Sequence, residues 1–315
     1  MAHMVETMAF AGEVPWHGLG KRVLPDLTPD QMMKEAGVDW TVRLVPAFAN
    51  VDGRQVAVGR SALVRETDNK VLTVVGEDWK PVQNSEAFEF FHDFVIAGDM
   101  EMHTAGSLRD GQMVWALAKV KDSFTVNRKD QVDSYLLFTN PQVYGKSIDV
   151  RFTPIRVVCN NTLTLSLNQN SDNMVKVSHR TKFDAEQVKE TLGIAHHKLV
   201  QYKEMGQFLA GKRYNGESIV EYFKSVFPVV SSKEEGKARK DLSRGASIAM
   251  EILETQPGAE FAPGTWWNAF NAVTFYTDHL AGRSADNRLH SAWYGVNKNL
   301  KADALEKAVE FANAA

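Results

Sequence analysis

The spacing of the apolar residues changes once along this chain. Up to about residue 183 they alternate with polar residues in short runs, and from about 184 they recur every three or four positions. Alternation marks strands with one buried face, and the 3–4 spacing marks amphipathic helices. Strands grouped ahead of helices predict an α+β protein, not the βαβ alternation of a parallel sheet. We expect a mainly antiparallel sheet with an inserted helix, followed by a helical C-terminal portion. The predicted divisions are an N-terminal arm at 1–27, an α+β sheet domain at 28–183 and a helical domain at 184–315.

Local signals place the elements. The arm is read as irregular, with Trp16 as its anchor and His17 and Lys21-Arg22 as a possible approach to a ligand. Thr28-Pro29-Asp30-Gln31 is a capping box with proline at the first helical position, and Gly37 stops the short helix that follows. Residues 40–83 read as a meander with turns at Asp52-Gly53 and Asp68-Asn69. Asn84 or Ser85 caps one helix running to Ile96, and a hairpin turns near Ser107–Gly111. Past 184, Val188, Leu192, Leu199, Tyr202 and Leu209 share a helical face, Ile219–Val226 is a second helix closed by Pro228, and Ser232 with Glu235 caps a third. Thr265 caps an aromatic-rich helix, and Lys301–Ala314 is the last.

The stretch Ser134–Leu167 joins the two regimes. Ser134–Thr139 is a short apolar strand ended by Asn140-Pro141. Ile148, Val150 and Phe152 alternate with Asp149 and Arg151, and Pro154 interrupts the run. Asn160, Asn161 and Thr162 are turn and cap residues, so a helix is expected from Thr162. Lys146, Arg151 and Arg156 lie in this otherwise core-like segment, where a charge requires a partner, and an anionic ligand is one such partner.

TPIRVVCNNTL (Thr153–Leu163) and PWHGLG (Pro15–Gly20) resemble the phage/plasmid-like protein family, domain of unknown function 932. The likeness extends over TWWNAFNAVTFYTDH and RSADNRLHSAWYG near the C-terminus. It implies a genetic setting in a phage or plasmid, and hence bacterial cytoplasm. It implies no activity.

Composition narrows the classes. The formal charge is −3, so nucleic-acid binding requires local basic patches. A single cysteine excludes a disulfide framework and a cysteine-rich zinc site, and it suits a reducing compartment. No apolar run approaches the roughly 20 residues of a membrane span, and no signal peptide is visible.

Basic residues supply the candidate site. Lys233, Lys237, Lys240 and Arg244 share a helix face, and Arg180 and Lys182 join Lys146, Arg151 and Arg156 near the change of regime. Tyr144, Phe152 and Phe183 are interleaved with these cations, which is the mixture a single-strand groove uses. Asn160 and Asn161 are a further ligand or structural motif, as are Asn271, Arg283 and Arg288. Asn268, Asn271 and Asp278 on an apolar helix predict an internal polar network. Cys159 reads as a core residue, since no glycine elbow surrounds it. GQFLAGK at 206–212 lacks the strand and the Ser or Thr of a phosphate loop. We assign no catalytic residue, no metal and no cofactor.

The expected function is single-stranded DNA binding, as a homo-oligomer, in replication or recombination of the element. Strand annealing is one form of it; an antiparallel sheet with a helix behind and a basic hairpin is similar in outline to annealing proteins. The first alternative is a module that binds a host protein, and the second is an enzyme centred on Cys159.

Overall fold

The computed structural model describes residues 4–12, 18–121, 123–127, 129–156, 161–162, 174–229, 242–282 and 287–314. In chain order its strands and helices are β1 (Val5–Ala11), β2 (Lys21–Val23), α1 (Pro29–Glu35), β3 (Val42–Val51), β4 (Arg54–Arg65), β5 (Lys70–Val75), α2 (Asn84–Glu89), α3 (His92–Ile96), β6 (Met100–Leu108), β7 (Met113–Val120), β8 (Phe124–Thr125), β9 (Gln131–Pro141), β10 (Ile148–Arg156), β11 (Asn161–Thr162), β12 (Met174–Val177), α4 (Ala185–Gly211), α5 (Gly216–Val226), α6 (Arg244–Ile252), α7 (Trp266–Phe275), α8 (Arg288–Tyr294) and α9 (Val296–Ala314). The architecture is α+β, with a mainly antiparallel sheet, inserted helices and a helical C-terminal region. The chain forms two compact units: residues 1–121, 135–152 and 171–196, and residues 122–134, 153–170 and 197–315.

The first unit is built on a sheet ordered β10-β9-β7-β6-β1-β2, with β12 along β10. Its pairings β1–β6, β6–β7, β7–β9 and β10–β12 are antiparallel, and β1–β2 is parallel. β7 and β9 are buried almost throughout, so neither shows the alternation of a half-exposed strand. The helix α1 and the short α3 pack on β6, and Phe90 and Phe91, between α2 and α3, meet Phe138 of β9. The capping box of α1 forms with both arms, Gln31 N to Thr28 Oγ1 at 3.3 Å and Thr28 N to Gln31 Oε1 at 2.9 Å.

Several expectations change. Residues 5–11, read as part of an irregular arm, are an interior strand of the sheet. The helix expected over 84–96 is two, broken at Phe90-Phe91. β9 runs on through Asn140 to Pro141, and its register pairs Asn140 with Val114. The residue before a proline favours extended dihedrals, so Asn140-Pro141 fits a strand end as well as a turn. β10 is continuous through Pro154 because its partner changes there: β12 pairs Ile148–Arg151 and β11 pairs Ile155-Arg156. Asn161-Thr162 is accordingly strand β11 and not a helix start.

A separate three-stranded sheet, β3-β4-β5, belongs to the same unit. Asp52 and Gly53 turn its first hairpin with φ of +50° and +80°, the double positive φ of a type I′ turn. Arg65 on β4 lies over the Trp40 ring, bonds Glu6 at 2.9 Å, and grips both Asp68 oxygens at 3.0 and 2.6 Å. The hydrogen bonds from Arg65 hold the Asp68 carboxyl down at about 2. A carboxyl depressed in the folded state adds stability above its unfolded value and loses it on acidification. The melting temperature is therefore expected to fall as pH drops from about 4 to about 2, and Asp68→Asn to flatten that part of the curve. An unchanged acid limb in the variant would show that Asp68 does not contribute.

The second unit is helical, with short strands β8 and β11. Every residue of α7 from Trp266 to Thr274 is buried, as an all-round apolar helix must be. Trp266 packs edge-on against Tyr214 and Tyr222, and Trp267 against Tyr202. The Trp267 indole N–H donates to Asp130 at 2.7 Å. α7 widens into a π turn over Tyr276–Leu280, closed by Ala281 N to Tyr276 O at 2.7 Å.

Candidate nucleic-acid interface

The turn after β9 carries the most exposed aromatic platform of the first unit's main sheet. Gly145, at φ +79°, reverses the chain, and Lys146 N bonds Val143 O at 3.3 Å. Tyr144 stands between them, 49% exposed, with its backbone N–H on Thr73 Oγ1 at 3.4 Å. The Arg60 guanidinium on β4 lies 5.9 Å from the centre of its ring. Trp79 is tilted against Tyr144 at 6.5 Å and stacks on His179 at 4.1 Å, with the planes 14° apart.

Backbone bonds lock this arrangement. Lys80 N donates to His179 O at 2.7 Å, and His179 Nδ1 lies 3.3 Å from Lys80 O. Burial pushes the His179 imidazolium pKa below its usual value, which favours the neutral ring, and the carbonyls of Lys80 and Pro141 oppose that shift. Lys80, which precedes Pro81, is exposed. A Ser178–Thr181 turn, closed by Thr181 N to Ser178 O at 3.0 Å, presents Arg180. Asn140 and Gln142 of the β9 end hold Val82 O at 2.9 and 3.2 Å, fixing the segment that follows Trp79.

Arg60, Lys80, Lys146, Arg180 and Lys182 are all exposed, and none has a carboxylate partner among the described residues. Lys21, Arg43, Lys70 and Lys189, on the same unit, are each paired. Two exposed acids, Glu77 and Asp78, directly precede Trp79 in the chain. The surface offers an aromatic face, a guanidinium stacked on it and unpaired ammonium groups. Bases stack on such a face, and phosphates meet such cations.

The structure brings together Tyr144, Lys146 and Arg180 from the sequence-derived set, and adds Arg60, Lys80 and Trp79; Lys182 is exposed two residues beyond Arg180. Arg151 is different: it is 8% exposed, and its Nε lies 3.4 Å from Asp149 Oδ1 on the same strand. Its partner is internal, so it presents no free charge to a ligand. Arg244 is exposed at the start of α6, behind a Ser243 cap, in the second unit. The side chain of Arg156 lies outside the described residues, as do Trp16, His17, Cys159, Asn160, Lys233, Lys237, Lys240 and Arg283. Asn161 contributes its backbone to β11, opposite Arg156.

The asparagine amides on α7 donate internally, while Asn271 Oδ1 and the Trp266 indole N–H are buried without a hydrogen-bond partner among the described residues. Asn268 Nδ2 bonds Leu253 O at 2.9 Å, Gln256 donates to Asn268 Oδ1 at 3.0 Å, and Asn271 Nδ2 bonds Trp267 O at 2.8 Å. Asp278 is held by Lys301 at 2.8 Å, and Arg288 Nε donates to Ala281 O at 3.1 Å. A shallow recess of about 650 Å³ near Gly12, Lys21–Leu27 and Glu35 has its lysine paired with Glu35. Among the described residues no group of three His, Cys, Asp or Glu side chains is placed to hold a metal ion. No helix among them is long and apolar enough to cross a membrane.

Fold and surface together define an α+β protein whose most developed site is an open aromatic and cationic face. Residues 71–293 match the family described as a domain of unknown function (DUF932), and the chain belongs to that family. No curated protein and no solved structure matches the chain.

Proposed function

We propose that the protein binds single-stranded DNA across the Tyr144 face. The observation that supports this best is the exposed Tyr144 ring with Arg60 over it and Lys80, Lys146 and Arg180 nearby, all without acidic partners among the described residues. A base stacks on Tyr144 and the backbone runs past the cations. Such binding needs no base-edge readout, so it tolerates any sequence. Work of this kind belongs to replication or recombination of a phage or plasmid, with strand annealing in an oligomer and in the bacterial cytoplasm as the specific form we favour.

Fluorescence anisotropy of a labelled oligothymidylate, against a duplex of equal length, tests the proposal. Single-strand affinity is expected to fall with salt at a log–log slope of about −3, given roughly −0.7 per phosphate neutralised and four cations. Lys146→Ala and Arg180→Ala each reduce that slope by about 0.7. Tyr144→Ala weakens binding by about fivefold or more, the worth of one stacked base. Arg151→Ala leaves the slope unchanged and lowers the melting temperature instead. Absence of single-strand binding at low salt rules the function out, and tighter binding to duplex rules out the single-strand form.

A further inference from the structure

The β3–β4 hairpin reaches well past its neighbours. Among the described residues β5 pairs only with Ser61–Arg65 of β4, so no strand covers the edge at Arg54–Arg60, and none pairs with the outer edge of β3. Residues 51–60 are all exposed. Cross-strand partners share a face, which puts Ala49 with Val56 and Val51 with Arg54 on one side, and Phe48 with Ala57 and Asn50 with Gln55 on the other. Phe48 is 56% exposed and Val56 48%, and Val51 and Val58 are comparably open. The register slips between Pro46 and Phe48, and Gly59 opposite this region sits at φ +64°. A slip of this kind bends a ribbon and re-aims what lies beyond it.

Open edges and exposed valines on a ribbon of about 20 Å invite a covering partner. Charge indicates which one. Between Leu44 and Ser61 the charged residues are Asp52 in the turn, Arg54 at the tip and Arg60 at the base, in a chain whose overall charge is −3. Arg60 is also the residue over the Tyr144 ring, so the ribbon rises directly from the cationic face. A polyanion with flat apolar bases matches the ribbon in both respects: phosphates for Arg54 and Arg60, and a stacking partner for Phe48.

We propose that the β3–β4 ribbon is a nucleic-acid-binding arm that extends the contact of the same single strand beyond Tyr144, the strand rounding the ribbon so that Phe48 on one face meets a base and Arg54, on the other face at the tip, meets a phosphate. This inference rests on the function proposed above. The test measures binding of oligothymidylates of increasing length to the full chain, to Phe48→Ala and to Arg54→Ala, with the oligomeric mass read by light scattering. Both side chains are exposed, so the variants should keep the native melting temperature. Phe48→Ala is expected to weaken binding of long oligomers about fivefold or more while sparing the shortest oligomer that Tyr144 still governs. Equal affinity at every length, with Tyr144→Ala still defective, overturns the arm and leaves the Tyr144 face standing. An unchanged affinity with a lowered oligomeric mass overturns it in favour of contact between copies of the chain. No binding by the unaltered protein removes the proposed function, and the arm with it.

Discussion

Lys301→Met is expected to destabilise the helical unit by about 3–5 kcal/mol, the usual cost of breaking a buried ion pair by removing one partner. Lys301 Nζ lies 2.8 Å from Asp278 Oδ1, with the two side chains 1% and 2% exposed. Each ion loses several kcal/mol of hydration on burial, and their mutual attraction offsets most of that. The site is set by backbone geometry. The π turn over Tyr276–Leu280 carries Asp278, and Asn297 on α9 donates to Thr277 O at 2.9 Å, fixing the two elements in register. Methionine is unbranched like lysine and one heavy atom shorter, so the loss reports mainly the charge and the hydrogen bonds that Lys301 brings to Asp278. In thermal unfolding followed by circular dichroism the midpoint should drop by about 10 °C. Asp278→Leu combined with Lys301→Met should recover most of it, because apolar replacement of a whole buried pair is often neutral or better. A double variant as unstable as the single one would mean that the pair itself, not the removal of one charge from it, carries the stability.

The same pair shows what the residues disclose in advance. Asn268 and Asp278 on an otherwise apolar helix imply internal hydrogen bonds, since buried polar groups need partners. Which partners they find does not follow from local pattern: Lys301 is 23 residues on, and Gln256 lies in a turn before the helix. The Thr28 capping box and the Asp52-Gly53 turn are legible because their chemistry is local. Strand β1 is not, because burial on both faces erases the alternation that marks a strand and its partner β6 lies about a hundred residues away. The break at Phe90-Phe91 has no glycine or proline to announce it; both rings are drawn onto Phe138. Arg151 was readable in one respect, since Asp149 two residues earlier shares its side of the strand and is its partner. Tyr144, Lys146 and Arg180 were visible as cations interleaved with an aromatic. Arg60 and Lys80 join them only through the way β4 and the Trp79 segment fold back, and no spacing encodes that.

Gly106→Ala should be the most damaging single methyl group in the first unit. Gly106 sits on β6 between β1 and β7, opposite Met8 on one side and Trp115 on the other. A Cβ there would fall 2.4 Å from the Thr7 carbonyl oxygen and 2.5 Å from the Trp115 ring. Neither neighbour has an easy retreat. The Thr7 oxygen is backbone in a strand, and Trp115 is among the most completely buried side chains of the protein. Overpacking a core ordinarily costs about 1–3 kcal/mol. Here relief requires β1 to separate from β6, so the cost should meet or exceed the upper end of that range. The matched control is Gly76→Ala, where a Cβ meets nothing within 4 Å and φ is not positive. Removing that glycine's freedom in the unfolded chain should be neutral or stabilise by about 0.4–1 kcal/mol. Urea unfolding of the two variants decides the matter. A midpoint for Gly106→Ala equal to that of the unaltered chain would mean that β1 does not lie against Gly106 as described, whereas a large loss in this variant alone ties the stability of the sheet to the close approach of β1 and Trp115 over a residue without a side chain.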